Sequence, residues 1–163
     1  ATIKGFEPLY IQRIAQLTNK SNQFNLTTLR CSEDDIRAMA GDKNDLCLCG
    51  KLVDKFGDNG IVTVVAGRQQ GDVLDLTLWL MSCRVLKRGM EDAMMDTVVA
   101  EAAARGVKTI VGHYYPTAKN AMVREFYAQY AFAKTAEDAD GNTEWTLDVA
   151  AYTPKHPHMK IER

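Results

Sequence analysis

Within six residues, Cys83-Arg84-Val85-Leu86-Lys87-Arg88 brings a thiol together with three cations, and Gly89-Met90-Glu91-Asp92 follows. The stretch closes an apolar strand and opens a long helix. The first N–H groups of a helix lack partners and its dipole favours negative charge, so strand, basic turn and helix start together make an anion site. Positive charge near a thiol favours the thiolate, the form that attacks a carbonyl carbon. That combination suits phosphate-bearing or acyl substrates. Cys83 has two readings: a buried strand thiol, or a nucleophile that carries an acyl group. His113 stands on a later strand, either as a satisfied structural histidine or as a base for Cys83. Tyr127 follows Asn120 by seven residues, two helical turns along one face. Phe126, Tyr127 and Tyr130 also fit a core stripe. Ser21-Asn22-Gln23-Phe24-Asn25 is a polar loop with one aromatic. It reads as a substrate or carrier-protein contact through Asn22, or as a helix cap and plain connection.

The chain of 163 residues is 46% hydrophobic, which suits one domain with a full core. We expect that domain over residues 1–150, with a flexible tail over 151–163. Net charge is -1 and no basic block runs along the sequence, so nucleic-acid binding has no electrostatic support. No apolar run approaches the ~20 residues of a membrane span, and no signal-peptide pattern opens the chain. Cys47 and Cys49 flank a single residue, too close for a zinc pair, and His156 and His158 have no cysteine or carboxylate pair nearby. No metal site is expected. Reduced thiols and a cytoplasmic location are.

Several elements must hold these residues. Thr2 to Phe6 reads as a strand. A helix starts at Pro8, and a second is capped by Ser32 and ends at Gly41. A strand over 45–55 turns at Gly57-Asp58-Asn59-Gly60 into a second over 61–66. A third, over 73–83, sets Leu74, Leu76, Leu78 and Leu80 on one face and Asp75, Thr77, Trp79, Met81 and Cys83 on the other. A helix over 88–105 with Met90, Met94, Val98 and Ala102 on one face leads to a strand over 108–115, which implies a parallel pair. A last helix begins at Pro116-Thr117, and Thr143 to Val149 alternates as an antiparallel strand. The fold class is α/β: a mixed central sheet with an antiparallel meander, one parallel pair and flanking helices.

This order resembles the GNAT acyltransferase fold over nearly the whole chain. Arg88-Gly89-Met90-Glu91-Asp92-Ala93 resembles the family's phosphate-cradling R-G-x-G-x-G/A. The segment from Asn120 to Phe132 resembles its N-x-x-A-x-x-F-Y-x-x-x-G-F. The resemblance implies that Arg84, Arg88 and Gly89 face an acyl or phosphopantetheine group. It also implies that Asn120 bonds the pantetheine chain and that Tyr127 protonates a departing thiolate. Three positions depart. Glu91 replaces the glycine at the coenzyme A pyrophosphate, Val123 replaces a small residue, and Ala131 replaces the last glycine. A carboxylate ~4 Å from a phosphate costs about 1 kcal/mol in water and about 4 at an intermediate dielectric. Glu91 therefore argues against tight coenzyme A binding. It leaves room for a phosphopantetheine arm without a nucleotide.

A narrower resemblance covers Arg13-Ile14-Ala15-Gln16-Leu17-Thr18, Ser21 to Thr28, Lys55 to Gly60, Ser82 to Leu86 and Pro116 to Asn120. These strings look like the C-terminal region of FkbH-like proteins, which join a HAD-type phosphatase domain to a GNAT-like domain. Such proteins load a glyceryl unit onto an acyl carrier protein on routes to polyketide extender units. The resemblance implies a chain with an upstream phosphatase domain and an acyl carrier protein as partners, and no cofactor of its own beyond a substrate-borne phosphopantetheine or coenzyme A. Two alternatives stand beside it: an acetyl-CoA-dependent N-acetyltransferase, and a non-catalytic module that docks the carrier protein.

Overall fold

The computed structural model of the chain describes residues 1–55, 57–86, 89–157 and 161–163. Seven strands make one sheet: β1 (Thr2–Lys4), β2 (Asp45–Asp54), β3 (Gly57–Gln70), β4 (Val73–Met81), β5 (Thr109–Tyr114), β6 (Ala133–Glu137) and β7 (Thr143–Asp148). Their order is β1-β2-β3-β4-β5-β7-β6. β4 and β5 run parallel and the other neighbours antiparallel. Helices α1 (Ile11–Lys20) and α2 (Glu33–Gly41) cover one face, and α3 (Met90–Ala104) covers the other.

Local chemistry sets the helix ends. Pro8 opens a 3-10 turn that leads into α1. Ser32 and Asp35 cap α2 reciprocally, each side chain accepting from the other's backbone N–H. α3 starts after Gly89, whose φ of 86° is a left-handed geometry that side chains resist. Met90, Met94, Val98 and Ala102 are fully buried, as their spacing predicts.

Strand β4 shapes the site. Leu74 and Leu76 pack on the α3 side, whereas Leu78 and Leu80 pack against α1 and α2. The four leucines do not share the one face that simple alternation predicts. The ladder gives the reason: Ala66 opposes Leu78 and the adjacent Gly67 opposes Leu76, so Thr77 is an extra residue. One inserted residue reverses the facing of every side chain beyond it. The parallel pairing with β5 ends at Asp75 and Val111, just before this bulge. Beyond it the two strands part.

Other expectations need correction. The hairpin between β2 and β3 closes between Asp54 and Gly57, which pair. Phe56 lies outside the described residues. Asn59 and Gly60 sit in the returning strand beside a register shift, with Gly60 at φ 68°. In place of a last α-helix there are two 3-10 turns, Ala121–Val123 and Tyr127–Tyr130. The 3-10 repeat aligns residues three apart, and Val123 with Phe126, then Tyr127 with Tyr130, reach the core in pairs. Ala131 ends the segment at φ 67°, where the resemblance has a glycine. The tail is docked over its described parts. Asp96 on α3 accepts from the Tyr152 hydroxyl and from the backbone N–H of Lys155 and His156. Ile3 N–H donates to Glu162 O at 2.7 Å. His158 lies outside the described residues.

Candidate functional site

Two regions meet along the C-terminal half of β4. The first is the gap where β4 and β5 part. Such a gap exposes a row of backbone groups that an extended, amide-bearing chain can pair with. Here the segment after α1 fills it. Leu26 N–H donates to Trp79 O and Met81 N–H donates to Phe24 O, both at 3.0 Å. The Thr27 hydroxyl donates to Thr77 O at 2.8 Å. On the other side, Tyr115 N–H donates to Leu26 O at 2.8 Å. Residues 24–27 thus act as a short internal strand between β4 and β5.

Asn120 latches that strand. Its Nδ2 donates to Asn25 O at 2.9 Å and Tyr115 O at 3.0 Å. Its Oδ1 accepts from Thr117 N–H at 2.7 Å and from the Tyr114 hydroxyl at 3.3 Å. An amide side chain has two donor hydrogens and two lone pairs, so Asn120 is fully used inside the fold. Tyr127 lies behind it, 1% exposed, with its ring over Gly112. A Cβ on Gly112 would come within 2.4 Å of that ring, so the tyrosine fits only because residue 112 has no side chain. Phe24, Trp79, Phe126 and Phe132 pack with Tyr127 in an aromatic cluster, Phe132 at a centroid distance of 4.8 Å. Burial, aided by the Asp75 charge, pushes the Tyr127 phenol well above its usual range. As an acid it would have to meet a thiolate inside the gap that residues 24–27 occupy.

The second region is a groove of about 700 Å³ at the end of β4. Cys83 opens a 3-10 turn there, with Ser82 Oγ accepting from Arg84 N–H. The Cys83 side chain is exposed, and its Sγ donates to Gln23 Oε1 at 3.1 Å. Arg13, Lys20, Arg84 and Lys119 line the groove, and no carboxylate does among the described residues. None of these four cations is in a salt bridge among the described residues. A second cavity of about 380 Å³ adjoins the groove, and Asn22 and Lys119 line both.

The structure thus brings Cys83, Arg84 and Asn22 together and leaves Asn120 and Tyr127 in the packed gap. His113 is not beside Cys83. Its Nε2 lies 2.5 Å from Asp75 Oδ1, and the span from Asp75 to Met81 is about 20 Å at ~3.3 Å per residue. Glu91 sits half-buried in the first turn of α3. Arg88, with Lys87, lies outside the described residues. Sequence reasoning named the loop that carries Gln23 without singling out that residue, and did not find Arg13, Lys20 or Lys119. Arg13, Leu17 and Lys20 recur at helical spacing and could have been found as one face of α1. Lys119 carries no such signal. No group of three or more His, Cys, Asp or Glu is placed to hold a metal among the described residues. None of their helices is long and apolar enough to cross a membrane.

No protein-family model and no curated protein matches the sequence. Solved structures of GNAT proteins match its fold. The ribosomal-protein-S18-alanine N-acetyltransferase of Escherichia coli aligns with 96% of this chain and 98% of its own at 14% identity and a TM-score of 0.67. The GNAT domain of PAT from S. lividans aligns over 90% and 89% at 15% identity and a TM-score of 0.68. Rv2747 of Mycobacterium tuberculosis, solved with CoA, aligns over 90% and 98% at 12% identity and a TM-score of 0.68. The chain has the GNAT fold.

Proposed function

We propose that this GNAT-fold chain is an acyltransferase domain that holds an acyl group as a thioester on Cys83 and passes it to the pantetheine thiol of an acyl carrier protein. The FkbH-like resemblance makes the acyl group glyceryl, and its source a glycerate phosphorylated on the carboxyl group, an acyl phosphate, handled by an upstream phosphatase-type domain. One observation carries the reading: an exposed thiol opens into a groove lined by four cations and no carboxylate among the described residues. Phosphate-bearing donors and an acidic carrier surface both suit such a groove.

The transfer divides into two steps. In the first, the Cys83 thiolate attacks the carbonyl carbon of an acyl phosphate. The carbon–oxygen bond to phosphate breaks, the phosphate leaves with its electron pair, and the thiol proton goes to solvent. In the second, the pantetheine thiolate attacks the thioester carbon and the Cys83 sulfur leaves with the electrons of its carbon–sulfur bond. Gln23 orients the sulfur. As placed, its carbonyl accepts from the thiol, and half a turn of the amide presents N–H donors to the thiolate.

The gap between β4 and β5 does not fit the pantetheine arm of coenzyme A, because residues 24–27 already pair with that edge and Asn120 has no bond to spare. This weighs against the acetyl-CoA-dependent alternative, and no step is routed through coenzyme A. The test is carrier loading by the chain with its phosphatase-type domain, phosphorylated glycerate and magnesium. Cys83→Ala is expected to lose loading completely while its circular dichroism is unchanged. Full loading by that variant would transfer support to a docking module without chemistry.

A further inference from the structure

Next to the groove that holds the thiol lies a lobe lined by Asn22, Thr28, Arg30, Thr117, Ala118 and Lys119. Its polar side chains are donors or neutral, and it has no carboxylate among the described residues. Arg30 is held in place by its own loop, donating from Nη1 to Thr18 O and Ser21 O and from Nη2 to Asn22 Oδ1. A guanidinium has five N–H groups, so two remain, and Arg30 is in no salt bridge among the described residues, although it also borders a pocket that Asp35, Asp42 and Asp45 line. Thr117 Oγ1 accepts from the N–H groups of Lys119 and Asn120, both at 3.2 Å, and keeps its own hydrogen to donate. Thr28 has φ 52°, a left-handed geometry rare for a β-branched residue. It is fixed by Asn25 Oδ1, which accepts from its N–H at 2.9 Å. Such strained positions gather at ligand clamps. Two cations, a free hydroxyl hydrogen and a pre-set loop are what a phosphate with its several acceptor oxygens needs.

We infer that the Arg30–Lys119 lobe is a phosphate subsite that takes the phosphate end of a phosphopantetheine arm whose thiol reaches Cys83. The thiol end of this assignment rests on the proposed function, and the phosphate end does not. Asn22 and Lys119 line both lobes, so one ligand can span them without entering the gap between β4 and β5.

Calorimetric titration of the protein with 4′-phosphopantetheine and with pantetheine tests it. The phosphorylated compound should bind at least ~10-fold more tightly, by an amount that falls as salt rises. That preference should shrink below ~3-fold in Lys119→Gln and Arg30→Gln and persist in Arg84→Gln, which alters only the thiol lobe. Lys119 is exposed and keeps the test valid if Arg30→Gln loosens its loop. Equal binding of the two compounds overturns the assignment. So does loss of the preference in Arg84→Gln with retention in Lys119→Gln. Coenzyme A separates the two sources of the arm: a nucleotide-free subsite predicts no gain over 4′-phosphopantetheine, and a gain of tenfold or more contradicts it. Cys83→Ala should keep the phosphate preference, so a missing acyl adduct on Cys83 would sink the proposed function and leave the subsite standing.

Discussion

The gap beside β4 and the groove at its end use the same strand in opposite ways. In the gap, Thr77 O, Trp79 O and Met81 N–H are bonded to residues 24–27, and aromatic rings fill the space behind them. In the groove, a few residues further on, a thiol and four cations face solvent. The difference teaches that a strand edge is a binding site only while its backbone groups lack internal partners. Once the chain supplies its own strand, the residues lining the gap become packing, and the chemistry proposed above is left to the side chains outside it. The bulge at Thr77 makes this division possible, because it parts β4 from β5 and turns Leu78 and Leu80 toward α1.

The largest effect that can break this contrast comes from its latch. Asn120→Ala leaves Asn25 O, Tyr115 O and Thr117 N–H short of partners and should cost about 3 kcal/mol in denaturant unfolding. The same variant should speed amide exchange at Leu26 and Met81. A cost below about 1 kcal/mol, with exchange unchanged, would mean that the internal strand holds without it.

Next comes pH. Burial pushes the thiols of Cys47 and Cys49 on β2 up to about 12 and about 11. In the unfolded chain they ionise near ~8.5. Above that pH the unfolded state gives up protons that the folded state keeps, so stability is present below ~8.5 and is lost as pH rises. A fall of about 4 kcal/mol between pH 7 and 10, about 2 from each thiol, is expected from unfolding midpoints. A flat profile would show that these thiols are less buried than their place in the sheet implies.

The smallest effect sharpens the contrast most. Tyr127→Phe removes one oxygen from the packed gap and should leave carrier loading within about threefold. A hundredfold loss would return the acid role to Tyr127 and require residues 24–27 to move during the reaction.

Much of the frame was legible in the sequence. Ser32 with Asp35, the buried stripe from Met90 to Ala102 and the parallel β4–β5 pair all follow from local rules of capping, periodicity and connection length. The bulge was not legible, because Thr77 looks like any alternating polar residue, and whether it is counted once in the register depends on β3. The Gly57-Asp58-Asn59-Gly60 signal named the right hairpin and the wrong turn, since Gly57 pairs with Asp54 at the closure and Gly60 sits in a register shift within β3. Of the site, the exposed thiol and Arg84 were readable from adjacency. Asn120 reads as a pantetheine contact from the family resemblance, and its partner Asn25 O lies 95 residues away in sequence, a distance no local pattern encodes. Lys119 entered the groove in the same non-local way.

The proposed acyl chemistry on Cys83 in the groove can be observed directly. The direct measurement is peptide mapping by mass spectrometry after the protein is incubated with carboxyl-phosphorylated glycerate, magnesium and the phosphatase-type domain proposed to accompany it, without carrier. A glyceryl mass is expected on the peptide containing Cys83, removed by hydroxylamine as a thioester is. A glyceryl adduct confined to any other residue, or to the phosphatase-type domain, would contradict it.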